Sequence, residues 1–337
     1  GSSFLGRLRN GMNKKTKGAI SKRVKLAPLL PGYDPNATAG DCVYDFEAAG
    51  RAVNFFRDCL TFTTAEWRGK PFILEPWQSA IVANLFGWKR PDGTRRYRKT
   101  LIYVPRKNGK TEMCAGLGLY LTFADDEPAA QVYCAASERD QARNLYRAAT
   151  TMVQAEAELA NRSHIYVHAI EVKASGSFFR VLSAEAPGKH GLNPHAVLVD
   201  ELHALPNRDL VDALGTGMGA RRQPLMILIS TADFWRDSVC NEEREYAKRV
   251  RDGILEDRAY LPVINETAID ADWTAPETWK AANPNLGISV KLEYLQAECE
   301  KAKATPSYQN TFKRLHLNMP TQQDVRWLAM EQWDENG

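Results

Sequence analysis

The sequence predicts an α/β fold in which a mainly parallel sheet is flanked by helices. Short apolar runs alternate with stretches of helical spacing between residues 96 and 235. The runs are apolar throughout, which is typical of strands buried on both faces of a parallel sheet. The helical stretches between them supply the crossover connections that parallel strands require.

The composition is that of an ordinary globular protein. Of the 337 residues, 44% are hydrophobic and 25% are charged, which excludes disordered, collagen-like and coiled-coil chains. No run of about 18 apolar residues occurs, so the sequence offers no transmembrane helix. The six cysteines lack the spacing of a zinc site or a disulfide framework, and we expect reduced thiols that pack in the interior.

Charge is distributed unevenly along the chain. The formal net charge is +3, but residues 1–27 carry eight lysines and arginines and no acid, which leaves the remainder at −5. Such an arm is typical of segments that contact nucleic-acid phosphates or an acidic protein face. The alternative interpretation is a flexible, solvated basic tail.

The pattern of residues 28–95 predicts an N-terminal helical segment. Helical spacing begins near Tyr44, and a second helix is expected to begin at Pro76, because proline suits the first helical turn. Gln78 in that second helix carries an amide that both donates and accepts, which matches the edge of an adenine base.

The predicted core, residues 96–235, contains the apolar runs that we expect to be strands. They comprise residues 100–104, 130–134, 178–182, 196–199 and 225–229. A helix is expected from Lys110 to Phe123, directly after the first run. Residues 236–337 are more polar and mostly helical by pattern.

The strongest motif follows the first strand and begins a helix: Val104-Pro105-Arg106-Lys107-Asn108-Gly109-Lys110-Thr111. A phosphate-binding loop needs backbone N–H groups, a lysine near the β- and γ-phosphates and a hydroxyl on Mg²⁺. Gly109, Lys110 and Thr111 supply these last positions, whereas Val104 replaces the usual first glycine. We therefore expect ATP and Mg²⁺ as ligands; the alternative is a basic surface loop.

Two further strand ends carry polar side chains. Asp200 and Glu201 follow the run at 196–199, and we expect Asp200 to bind Mg²⁺ and Glu201 to orient or deprotonate a water. Ser230 and Thr231 end the run at 225–229, where hydroxyls can sense a γ-phosphate. An ordinary capped strand end is the alternative for that pair, and His203 is expected to pack beside the acids.

Together these residues resemble the ATPase domain of the large terminase subunits of tailed double-stranded DNA bacteriophages. The similarity is to the HK97 type and covers about residues 70 to 320. It includes the loop at 105–111, the Gly-Leu-Asn-Pro of 191–194, the Trp-Lys-Ala-Ala-Asn-Pro-Asn-Leu-Gly of 279–287 and the Phe-Lys-Arg-Leu-His-Leu-Asn of 312–318. Gln78 looks like the adenine-sensing glutamine of nucleic-acid motors.

The resemblance implies a P-loop NTPase of the additional-strand type with helical attachments at both ends. It implies an ATP-hydrolysing motor that moves double-stranded DNA into a procapsid, acting as a homo-oligomeric ring, expected to be a pentamer. It also implies the viral portal protein and the small terminase subunit as partners. No membrane is involved, and the expected location is the cytoplasm of the infected bacterial host.

The resemblance also implies site residues. Lys107 and Asn108 would line the nucleotide site with Gly109, and Arg106 would contact the γ-phosphate. A neighbouring subunit often donates a second arginine, for which Arg139 is our candidate. Alternatives stay open, since Lys189 and His190 stand where some members carry that arginine; the competitors are Arg143, Lys189, Arg221 and Arg222.

Full-length members carry a nuclease domain of the RNase H type after the ATPase. We expect residues 236–337 to be the helical C-terminal part of the ATPase domain or a linker, and the nuclease to be absent from this chain but present in its parent protein. A helicase-like DNA-dependent ATPase and a non-catalytic P-loop binding module are the alternative functions.

Deletion of residues 1–25 tests the basic arm. If the arm holds DNA, affinity should fall equally for unrelated duplexes, and the log–log salt slope should flatten by about 0.9 for each lost phosphate contact. ATP hydrolysis without DNA should persist, because Gln78, Lys110 and Glu201 lie outside the deletion. Fluorescence anisotropy across a salt series measures both quantities; an unchanged affinity and slope would identify the arm as a tail.

Overall fold

The computed structural model describes residues 26–137, 139–183 and 191–322. Within these ranges, eight strands form one sheet in the order β10-β3-β9-β8-β4-β7-β6-β5. All neighbours from β10 to β7 are parallel, and β6 and β5 add an antiparallel hairpin. The strands are β3 (Lys99–Tyr103), β4 (Gln131–Ala136), β5 (Ser163–Ile165), β6 (Ala169–Val172), β7 (Phe178–Ser183), β8 (Ala196–Val199), β9 (Leu225–Ser230) and β10 (Tyr260–Ile264).

A two-stranded ribbon and a set of helices surround this sheet. The ribbon pairs β1 (Val43–Tyr44) with β2 (Trp88–Lys89). The helices are α1 (Phe46–Cys59), α2 (Pro76–Gly87), α3 (Lys110–Phe123), α4 (Arg139–Ala155), α5 (Ala157–Arg162), α6 (Asp209–Gly217), α7 (Val239–Arg251), α8 (Pro276–Ala282), α9 (Leu292–Ala304) and α10 (Pro306–Leu317).

Alternate residues of β3 belong to two hydrophobic clusters, one on each face of the sheet. Ile102 packs with the cluster that includes residues of α1 to α4, whereas Leu101 and Tyr103 pack with residues of α6 and α7. Side chains alternate between the faces of a strand, so a continuous apolar run is buried on both. The expected parallel sheet flanked by helices is therefore confirmed.

β9 lies between β3, which leads into the phosphate loop, and β8, which ends at the acid pair. This inserted strand is the feature expected of the additional-strand type. The register pairs Tyr103 with Ser230 and Val199 with Leu228, so the three strands end at the same edge of the sheet. Ligands of open parallel sheets bind at that edge.

Several element bounds agree with expectation and others do not. α2 begins at Pro76, and α3 spans Lys110–Phe123 as predicted. β10, however, lies beyond the predicted core of 96–235 and adds an edge strand next to β3. Its Pro262 disguised it, because proline disfavours a strand yet is tolerated at a sheet edge.

The helices α8, α9 and α10 with their connections form what we call the C-terminal helical unit. It has a small core of its own, in which Trp279 and Phe312 are buried and pack edge to face. Proline occupies the first turns of α8 and α10, as suits a helix start. This unit sits against the sheet edge where β3 and β9 end, through bonds described below.

Other sequence expectations have plain outcomes. All six cysteines lie in the described part of the chain as unpaired thiols, and only Cys42 is not buried. No helix among the described residues is long and apolar enough to cross a membrane. Of the predicted basic arm, residues 1–27, the first 25 lie outside the described residues; of the last two, Leu26 is exposed and Ala27 is buried.

Candidate nucleotide site

A cleft of about 1200 Å³ opens at the sheet edge where β3 and β8 end. It exceeds the roughly 300–1,000 Å³ usual for small-molecule sites, so it has room for a nucleotide. The structure brings most of the predicted site residues to its wall. They are Gln78, Arg106, Lys107, Gly109, Lys110, Thr111 and Glu201.

The phosphate loop takes its shape from two left-handed residues. Gly109 has φ 79° and immediately precedes the first turn of α3, and Lys107 has φ 69°. A non-glycine residue in this region costs about 1–2 kcal/mol, so the surrounding contacts must hold Lys107 there. The unpaired N–H groups at the start of α3 favour an anion at this point.

The Lys110 ammonium is buried and held by the loop itself. Its Nζ donates to the carbonyl oxygens of Val104 and Pro105, the latter at 2.9 Å. Burial lowers the pKa of Lys110, while the nearby carboxylates of Glu201 and Asp200 oppose the shift. The ammonium thus lies beside the cleft and is hydrogen-bonded to two neutral carbonyl oxygens. Charged phosphate oxygens are stronger acceptors and can replace them.

The acid pair combines a buried and a partly exposed carboxyl group. Burial, reinforced by the charge of Glu201, raises the pKa of Asp200, and Lys110 opposes this rise. Glu201 is held in a left-handed conformation with φ 53°, and its backbone N–H donates to Asp200 Oδ1 at 2.9 Å. The left-handed conformation directs the two side chains differently: Asp200 stays buried at the end of the strand, and Glu201 reaches the cleft.

Glu201 has a basic neighbour on each side. Arg106 Nη2 lies 3.9 Å from Glu201 Oε2, and His203 Nε2 lies 3.1 Å from the same oxygen. His203 Nδ1 is 3.1 Å from Ser230 Oγ, so the imidazole links the acid to the end of β9. Burial lowers the pKa of His203, and a neutral ring donating through Nε2–H fits a carboxylate that can only accept.

Ser230 and Thr231 are buried and do not line the cleft. Ser230 Oγ accepts from the His203 backbone N–H at 3.2 Å, while Thr231 Oγ1 is buried without a partner among the described residues. A strand end read from sequence gives the position of a hydroxyl but not the direction in which it points. Their contact with a bound nucleotide therefore stays a prediction. In the structure, Ser230 reaches Glu201 only through the His203 side chain, which lies between them.

Gln78 lies beside the phosphate loop and also caps its own helix. Its Oε1 accepts from the Glu75 N–H at 3.0 Å. A Cβ placed on Gly109 would lie 3.4 Å from Gln78 Nε2, which shows how closely the amide approaches the loop. The donor end of Gln78 thus faces the cleft region, consistent with a base-reading role that stays a prediction.

The arginine candidates separate clearly by position. The side chains of Arg139 and Lys189 lie outside what the structure describes, although Arg139 begins α4. Arg221 donates to the carbonyls of Asn193, Pro128 and Ala129, and Arg222 donates to that of Asp92. These acceptors lie at the opposite edge of the sheet, away from the cleft of the same chain, and the trans-acting arginine, for which Arg139 is the candidate, stays a prediction.

The predicted Mg²⁺ ligands fit a metal that keeps most of its own water. Thr111 is exposed at the start of α3, and Asp200 ends β8 near Lys110. One hydroxyl and one carboxylate, completed by waters and phosphate oxygens, suit Mg²⁺ in nucleotide sites. No group of three or more His, Cys, Asp or Glu side chains placed to hold a metal occurs among the described residues.

Sequence reasoning missed the residues that the C-terminal helical unit brings to the cleft. Asn285, Ile288 and Ser289, between α8 and α9, line it beside the phosphate loop. Asn144 and Arg147 of α4 line it from another side. The quoted segment at 279–287 contains Asn285, but sequence alone could not reveal a contact made across some 180 residues.

Family comparisons match both halves of the chain. Residues 76–249, just over half of it, match the family described as the ATPase domain of the terminase large subunit. Residues 255–336 match the family described as the endonuclease domain of the same subunit. The second match begins shortly before β10, which is an edge strand of the ATPase sheet, and includes the C-terminal helical unit.

Individual relatives agree with this match. The chain is 29% identical over 272 residues to the large terminase subunit of Enterobacteria phage HK97, covering 79% of this chain and 52% of that protein. It is 36% identical over 129 residues to protein YmfN of Escherichia coli K12, covering 38% of this chain and 28% of that protein. The crystal structure of the HK97 large terminase superposes with a TM-score of 0.71 at 26% identity, covering 87% of this chain and 58% of that one. The chain thus spans about half the length of the HK97 relative.

Lys110→Ala tests whether this loop is the phosphate site. The variant deletes the ammonium that phosphate oxygens would draw from Val104 and Pro105, so ATP affinity should fall roughly tenfold to hundredfold, as expected for lost charge-assisted hydrogen bonds. Lys280→Ala is the matched control, because Lys280 is exposed on α8 and does not line the cleft, so its loss should leave ATP affinity within about twofold. Calorimetric titration with ATP measures both; unchanged binding in Lys110→Ala would place the phosphate site elsewhere.

Proposed function

Since the chain belongs to the terminase large subunit family and carries its ATPase domain, we propose that it is the motor that hydrolyses ATP to move double-stranded DNA into a viral procapsid. The observation that carries this proposal is the convergence of Lys110 and Glu201 on one cleft. A phosphate-binding lysine and an exposed carboxylate on the same wall are the minimum for positioning a γ-phosphate and an attacking water. The chain spans about half the length of the HK97 relative, so the packaging activity of the complete subunit is itself part of the proposal.

In the proposed reaction, each side chain of the nucleotide site has one task. Lys110 leaves the two loop carbonyls and binds the β- and γ-phosphate oxygens, while the N–H groups at the start of α3 hold the phosphates. Glu201 orients a water and accepts its proton. The water oxygen bonds to the γ-phosphorus while the bond between that phosphorus and the β–γ bridging oxygen breaks. Thr111 and Asp200 would hold Mg²⁺, which neutralises the charge on the phosphate oxygens.

Arg106 and His203 fit as partners that hold Glu201 before the nucleotide arrives. Arg106 lies within 3.9 Å of the Glu201 carboxylate, and a γ-phosphate offers this guanidinium a stronger, bidentate acceptor. Transfer of Arg106 to the phosphate would leave Glu201 in contact with His203 alone, free to orient the attacking water.

The partners and location follow from this function. Double-stranded DNA is the substrate that is moved, and the portal protein and the small terminase subunit are the proposed protein partners. A ring of identical subunits, expected to be a pentamer, would place a neighbour's arginine near the γ-phosphate. The cytoplasm of the infected bacterial host is the proposed location, where all of these components are present.

DNA cleavage by this chain is not part of the proposal. Residues 255–336 match the endonuclease family, but their described part forms β10 and the C-terminal helical unit, both packed on the ATPase sheet. A two-metal nuclease needs a carboxylate cluster. A plasmid nicking assay with Mg²⁺ or Mn²⁺ tests whether this chain cleaves DNA.

Glu201→Gln tests the catalytic assignment. The amide keeps the shape of the side chain but cannot accept a proton, so turnover should fall about 10²–10⁴-fold while ATP affinity stays near that of the wild type. Glu300→Gln, an exposed carboxylate that is paired with Lys303 and does not line the cleft, serves as the control and should keep full activity. Phosphate release and ATP titration give the two readouts; hydrolysis within a few-fold of the wild type would exclude Glu201 as the base.

A further inference from the structure

The connection between α8 and α9 is bonded directly to the phosphate loop. Three asparagines meet there almost fully buried: Asn108 of the loop is 0% exposed, Asn283 is 2% and Asn285 is 4%. Buried amides are costly unless their donors and acceptors are all used. The reaction described above gives Asn283 and Asn285 no role.

The Asn108 side chain is fully used by this contact. Its Nδ2 donates to Asn283 Oδ1 at 2.8 Å and lies 3.1 and 3.2 Å from the carbonyl oxygens of Pro105 and Arg106. Its Oδ1 accepts from the Asn285 backbone N–H at 3.0 Å. The amide therefore ties the first half of the loop to the C-terminal helical unit.

The same unit also holds two backbone carbonyls of the loop. Ser289 Oγ donates to the Lys107 carbonyl at 2.7 Å, and Asn285 Nδ2 donates to the Asn108 carbonyl at 3.2 Å. In a trans peptide the C=O and the following N–H point in opposite directions. Fixing these carbonyls on the C-terminal side therefore turns the N–H groups of Asn108 and Gly109 away from that unit.

Asn285 also connects the loop to the helix that carries Gln78. Its Oδ1 accepts from Trp77 Nε1 at 2.6 Å, and Trp77 precedes Gln78 on α2. A Cβ on Gly109 would lie 3.7 Å from Asn285 Nδ2 and 3.4 Å from Gln78 Nε2. The asparagine thus sets the spacing between the loop and the predicted base-reading side chain.

We propose that Asn283, Asn285 and Ser289 are positioning residues of the ATPase, which aim the loop N–H groups at the nucleotide phosphates. The proposal rests on the proposed function for the identity of the nucleotide. It makes the C-terminal helical unit part of the nucleotide site, although that unit lies in the segment matched to the endonuclease family. It also explains how Lys107 is kept left-handed, because its carbonyl is bonded to Ser289.

The C-terminal helical unit has a second, separate attachment to the sheet. Asn318, after α10, accepts from the Ala232 N–H at 3.0 Å and donates to the Asn265 carbonyl at 2.8 Å. Its core around Trp279 and Phe312 is also independent of the loop. Loss of one contact at Asn285 or Ser289 should therefore leave the unit folded and in place, which makes the variants interpretable.

The test compares Asn285→Ala and Ser289→Ala with Asn84→Ala in the whole chain. Asn84 is a matched control, because it is an equally buried asparagine on α2 that bonds to the Pro28 and Ala80 carbonyls. ATP and ADP binding are measured by calorimetry, kcat and KM by phosphate release, and Tm by thermal unfolding. The binding of ADP matters because the loop amides hold the phosphates that ADP retains.

Asn285→Ala should weaken ATP and ADP by a similar factor, roughly 10- to 100-fold, and raise KM more than it lowers kcat. Ser289→Ala removes one hydroxyl, which donates to the Lys107 carbonyl and accepts from Asn285 Nδ2 at 3.1 Å, but keeps the Asn285 bonds to Asn108 and Trp77, so it should give a smaller loss of about three- to tenfold in the same direction. Asn84→Ala should lower Tm and keep nucleotide affinity within about twofold. A cycle with Asn108→Ala should show that the Asn108 and Asn285 losses are not additive.

The proposal would be overturned if Asn285→Ala and Ser289→Ala both kept nucleotide affinities within twofold of the wild type and lowered only Tm. The hydrogen-bond network would then be purely structural. Failure of the proposed function has a different signature. In that case the wild-type chain would bind ATP without hydrolysing it, while the comparison of binding among the variants would still decide the role of the asparagines.

Discussion

The buried side chain of Asn108 is the contact on which the nucleotide site depends. It holds the phosphate loop between the sheet edge and the C-terminal helical unit, with Asn283 and Asn285 as its partners. Beside it, the Ser289 hydroxyl of the same unit donates to the carbonyl of Lys107, which holds a costly left-handed conformation. The loop is therefore shaped by a segment far along the chain as well as by the strand and helix on either side of it.

Around this fixed loop, the charged groups are arranged for exchange. Lys110 is bonded to loop carbonyls, and Glu201 is bonded to His203 and lies near Arg106. Phosphate oxygens can replace the loop carbonyls at Lys110 and the Glu201 carboxylate at Arg106, while the contact between Glu201 and His203 is kept. The link from His203 to Ser230 continues the site to the end of β9, beside the point where Asn318 attaches the C-terminal helical unit. Both attachments of that unit thus lie at the sheet edge where β3, β9 and β10 end.

Much of this could be read from the sequence. Continuous apolar runs indicated the parallel sheet, and polar residues at the ends of two of them located the edge where Lys110 and Glu201 converge. The residues of the P-loop and of the acid pair are each contiguous in the sequence, so both patterns can be recognised without knowledge of the fold. The family match agrees with the enzymatic interpretation and disfavours a helicase-like ATPase or a non-catalytic module.

The remainder depends on contacts that local patterns do not encode. β10 was hidden by Pro262, and its position became evident only from its pairing with β3. The partners of Asn108 lie 175 and 177 residues away, and the directions in which Ser230 and Thr231 point depend on packing around β9. The side chain of Arg139 would act at a subunit contact, which a single chain does not contain.

A crystal structure of this chain with an ATP analogue and Mg²⁺ would test most directly whether a loop held by the C-terminal helical unit binds the phosphates. We expect Lys110 Nζ to leave the carbonyls of Val104 and Pro105 for the β- and γ-phosphate oxygens. Asn108 should remain hydrogen-bonded to Asn283 and Asn285, with the N–H groups of Asn108 and Gly109 directed at the phosphates. A nucleotide bound away from Lys110, or one bound there only after Asn108 had separated from both asparagines, would contradict this account.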